Sequence, residues 1–115
     1  MTHPLVRQLR FARSEFIRCI HGTSLQESYV HMGQMNCISW TIGHLASQEN
    51  TYFVYLAQGI AIQPDLRKIV STRSVPRLDD MWSAWREATA NADVYLDTVT
   101  TETLQQHNEA LNRKP

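Results

Sequence analysis

The chain is poor in the residues that interrupt regular structure. Four glycines and four prolines are spread over 115 residues, so the segments between turns are long. Nowhere do apolar and polar residues alternate with the period of two that a half-buried strand requires. The two cysteines, Cys19 and Cys37, form no CxxC. That excludes the disulfide-dense secreted class, and both read as free thiols buried in helices. Neither charge sign is in excess: Lys+Arg and Asp+Glu are 11 each. A zero balance gives no global pull toward nucleic acid or anionic lipid, and it does little to oppose self-association. No run approaches the roughly 18 apolar residues of a membrane span. The opening MTHPLVRQLRFARSEF carries charges every few residues and lacks the apolar core of a signal peptide. The expectation is a single cytoplasmic domain, 1–115, without nucleic-acid or membrane partners.

What is present is helical periodicity, in a chain 43% hydrophobic and 19% charged. Thr2 is placed to cap a first helix with Pro4 in its first turn. Leu5, Leu9, Ala12, Phe16 and Ile20 form its stripe, and Gly22 ends it. Residues 23–35 read as a connection in which Ser24 and Glu27 have capping-box spacing.

Residues 36–59 are the most apolar stretch, and Glu49 is its sole formal charge. Such a helix lacks a charged face and is expected to be central, touched by neighbours on most sides. Asn36 is its expected N-cap and Gly59 its end. A regular helical wheel puts Ile38, Ile42, Leu45, Tyr52, Phe53 and Leu56 on one face. Small residues (Ser39, Gly43, Ala46, Asn50 and Ala57) make a second strip, and Trp40, His44, Ser47, Thr51 and Tyr55 a third. Glu49 falls on the apolar face, where a carboxylate requires partners.

Residues 60–76 form a long loop, pinned by Leu66, Ile69 and Val70. Its basic cluster of Arg67, Lys68 and Arg73, with Arg77 beyond, reads as solvated. A third helix is expected over 77–99. Asp79 and Asp80 suit its N-terminal dipole, and Trp82 and Trp85 are core anchors. Thr101 is placed to cap a short final helix.

Catalytic motifs are scarce. There is no phosphate loop, no GxSxG, no HExxH and no pair of histidines at i, i+3 or i+4. His44 stands out by its position in the central helix. By itself it reads as a hydrogen-bonded packing residue more readily than as a metal ligand.

NCISWTIGHLASQEN resembles the helix-opening motif of the DinB/YfiT-like superfamily of small helical-bundle proteins. The matching residues are Asn36, Ile38, Trp40, Gly43, His44, Leu45 and Ala46. LDDMWSAWRE and VTTETL resemble the family's third helix and its end. The resemblance implies an all-α up-and-down bundle, with three long helices here and a fourth absent or supplied by a partner chain. It also implies a divalent metal such as zinc or nickel held by three side chains, with His44 as one and Trp40 as a pocket wall. The other two commonly come from an HxxxH pair, which this sequence lacks. Two functions stay open. One is a metal-dependent transferase or hydrolase acting on a small molecule. The other is a non-catalytic helical module that self-associates or binds a partner through the open face. A homodimer is expected in which apolar surface left open by three helices is covered.

Overall fold

The computed structural model describes residues 2–31, 33, 35–60, 66 and 75–105. Every element among them is helical: α1 (Pro4–Ile20), α2 (Leu25–Ser28), α3 (Ile38–Glu49) and α4 (Leu78–Leu96). A π-helical segment, Asn50–Leu56, continues α3 without a break. No strand occurs among the described residues, and no helix among them is long and apolar enough to cross a membrane. The chain divides into two compact units, residues 1–21 with 96–115, and residues 22–95.

In the first unit, α1 starts one residue later than Thr2 would place it. His3 is the N-cap, and its Nδ1 accepts the Leu5 N–H at 3.1 Å. Pro4 then occupies the first turn, where its missing N–H leaves no bond unmade. Gly22 follows the helix at φ +86°, which only glycine adopts freely. Val6 and Arg13 are the buried residues of α1, whereas Leu5 and Ala12 of the expected stripe are exposed. Cys19 is exposed rather than buried, while Cys37 is buried. Arg10 Nη2 meets Asp97 Oδ1 at 2.6 Å. The last described turn, 101–105, is capped by Thr100, not Thr101: its hydroxyl accepts the Thr103 N–H at 3.2 Å.

In the second unit, the Ser24–Glu27 capping box forms as its spacing predicts. Ser24 Oγ accepts the Glu27 N–H at 3.1 Å, and Glu27 Oε1 accepts the Ser24 N–H at 3.0 Å. The N-cap of α3 is Cys37, with no side-chain capping bond, and Asn36 is exposed. Burial of the Cys37 side chain fixes the start of the helix one residue after the better capping residue. Helix α4 begins at Leu78, whose N–H donates to the Tyr29 hydroxyl at 3.4 Å, and carries Asp79 and Asp80 in its first turn. Met81, Trp85, Ala88 and Ala92 give it a buried stripe. Trp85 is buried and Trp82 half-buried, edge to face at 6.5 Å. Leu66 is buried as expected. Ile69, Val70, Arg67, Lys68, Arg73 and Leu111 lie outside the described residues, as does His107.

Candidate functional site

The site is built on α3 and the π-helical segment that continues it. In α3 the buried residues are Ser39, Ile42, Gly43, Ala46 and Glu49. The small-residue strip, joined by Ile42, is therefore the inward face. The broad apolar face predicted from 38, 42, 45, 52, 53 and 56 does not hold, since Tyr52 and Leu56 are exposed.

At about 100° per residue Tyr52 and Tyr55 already lie outward from the inward line through Ser39, Gly43, Ala46 and Asn50, and the hydrogen-bonding period also changes at Asn50. A π turn closes i→i+5 instead of i→i+4 and takes in one extra residue. Up to Asn50 the buried positions follow the α pattern. Beyond it the next buried residue is Val54, four residues after Asn50, and Phe53 is half-buried. Tyr52, Tyr55 and Leu56 face out, and Ile60 after the helix is exposed with them. Central position thus does not make this helix buried on most sides.

The end of the segment is held by side chains. Gln58 Nε2 donates to the carbonyl of Phe53 at 2.7 Å and to that of Asn91 on α4 at 3.0 Å. Phe53 stacks on Tyr95 at 6.5 Å. Gly59, at φ +76°, returns its N–H to the Tyr55 carbonyl at 2.9 Å.

Glu49 and Asn50 sit at the junction, 8% and 2% exposed. Both have partners, as burial of a carboxylate and an amide requires. No buried side-chain nitrogen or oxygen among the described residues lacks a hydrogen-bond partner.

His44 lies one turn after Trp40 and stacks on it, with ring centroids 4.7 Å apart and planes 13° from parallel. The i, i+4 spacing brings the two rings together. The imidazole is half-buried, and no hydrogen bond joins it to another described residue. Its ring nitrogens must then reach solvent, because no enclosed one is left unpaired. His44 is held in place by stacking, with its donor and acceptor positions open. This differs from the hydrogen-bonded packing residue that sequence alone favours.

A catalytic metal centre of the zinc type takes three protein ligands. Among the described residues no three His, Cys, Asp or Glu come together in a group that could hold an ion. The described residues do not fit a complete metal centre. The exposure of Tyr52 and Leu56 was not legible beforehand, because the wheel puts them on the face expected to be buried; Tyr55 falls on the strip with Trp40 and His44. No family model, curated protein or solved structure matches the chain.

Proposed function

We propose that the chain is a DinB-like helical protein of the cytoplasm that acts as a self-associating module, two copies meeting through the outer face of the π-helical segment. The observation that carries this reading is Tyr52, Tyr55 and Leu56, exposed on the π-helical segment, with Ile60 exposed just past its end, all in one unit. Scattered apolar residues on a surface need no explanation, but a contiguous patch marks an interaction surface. A second copy presents the same stripe, so a two-fold arrangement satisfies both at once. Zero net charge leaves no long-range repulsion to overcome. Two free thiols suit a reducing compartment. Sedimentation velocity over a concentration series tests it. A shift from monomer to dimer is expected with rising concentration. A monomer at every concentration would refute the module.

The open imidazole of His44 favours a second reading, a divalent-metal-dependent transferase or hydrolase with a small-molecule substrate. In that reading His44 is one ligand, and the remaining donors come from outside the described residues. Metal analysis of the purified protein beside His44→Ala decides it. Stoichiometric zinc or nickel that disappears in the variant supports the enzyme. No bound divalent metal in the wild type removes it.

A further inference from the structure

A second site stands apart from both readings. Between α2 and the start of α3 lies a cleft of about 450 Å³, lined by Glu27, Val30, Met35, Asn36, Ile38 and Thr41. The volume is within the range of small-molecule sites. One wall is the turn after α2, where His31 Nδ1–H donates to the Met35 carbonyl at 3.0 Å. Val30, Met35 and Ile38 supply an apolar surface.

The polar groups of the lining set the chemistry. Among the described residues of the lining, Glu27 is the charged one. One carboxylate oxygen, Oε1, is committed to the Ser24 N–H, and Oε2 has no partner among the described residues. The backbone and hydroxyl of Ser24, in that order, hold the Glu27 carboxyl below its ordinary range, so it carries charge at neutral pH. Thr41 spends its hydroxyl proton on the Cys37 carbonyl at 3.0 Å and presents its oxygen as an acceptor. The Asn36 carboxamide in the same lining can either donate or accept, so the Glu27 carboxylate sets the charge preference, and an ammonium answers it with donors only. We propose that this cleft binds a small amphiphilic amine, its alkyl chain against Val30, Met35 and Ile38 and its ammonium group beside Glu27.

The test is an NMR titration of the full chain with n-hexylammonium chloride, 1-hexanol and sodium hexanoate. The amine is expected to shift the amides of Val30, Ile38 and Thr41. It should bind about two- to fivefold tighter than the alcohol, the preference an exposed ion pair confers; hexanoate should bind weakest. Glu27→Gln keeps the capping box, since glutamine serves at that position. It should make amine and alcohol equal while leaving the alcohol unchanged. Val30→Lys, at an exposed position, should weaken the amine selectively. Equal binding of amine and alcohol by the wild type would overturn the proposal. So would shifts confined to other residues, or a Glu27→Gln protein that keeps the preference.

Discussion

Helix α3 and its π-helical continuation, Asn50–Leu56, differ in what they turn toward solvent. Ile38–Glu49 keeps the α period and turns its small residues inward, with Ile42 and Ala46 fully enclosed. Asn50–Leu56 is richer in large apolar side chains, yet places Tyr52, Tyr55 and Leu56 in solvent. The difference lies in which face each residue occupies relative to the inward strip of Ser39, Gly43, Ala46 and Asn50, not in hydrophobicity. A stretch can be apolar because it is core, or because it is a surface that something else covers.

The largest expected contrast is between substitutions in the two halves. Ile42→Ala empties an enclosed site and should cost about 2–5 kcal/mol in urea denaturation. Leu56→Ala, measured where the chain is monomeric, should stay within about 0.5 kcal/mol of wild type, as surface changes do. Equal losses would erase the distinction. Next comes the anchor of the π segment. Gln58→Ala leaves the Phe53 and Asn91 carbonyls without their shared donor and should cost about 1–2 kcal/mol. A neutral result would mean that the segment holds its geometry without that anchor. In the α half, His44→Ala removes the stack on Trp40, a contact of about 0.5–1.5 kcal/mol. A much larger loss in metal-supplemented buffer, against a small one in chelator, would bring the enzyme reading forward.

The smallest effect is local to α2. The folded Glu27 carboxyl titrates below its unfolded value of about 4.3. Its contribution is therefore fully present above that pH and is lost as pH falls through the lower folded value. Amide exchange at Ser24 and Glu27 should stay slow down to that region and quicken below it. Quickening already at pH 6 would contradict the sign.

Much of the fold was legible because its signals are local. Ser24 and Glu27 found each other at capping-box spacing. Gly22 and Gly59 ended their helices, and the α4 stripe through Met81, Trp85, Ala88 and Ala92 followed the period. The caps failed where a second force acted on the same residue. Cys37 is drawn into the core, which moves the helix start past Asn36, and the His3 imidazole does the work expected of Thr2. The site was half-legible. The Trp40–His44 pairing follows from i, i+4, but the open ring nitrogens depend on which groups stand nearby, and no sequence period records that. The outward stripe was hidden because the large apolar residues read as the inward face, whereas the small residues with Ile42 pack inward.

Sedimentation equilibrium of three proteins tests the central claim most directly: the wild type, Leu56→Glu on the outward stripe, and Val94→Glu at an exposed apolar residue of α4. The account predicts a dimer for the wild type and for Val94→Glu, and a folded monomer for Leu56→Glu. A monomeric wild type, or the same assembly state in all three, would contradict it.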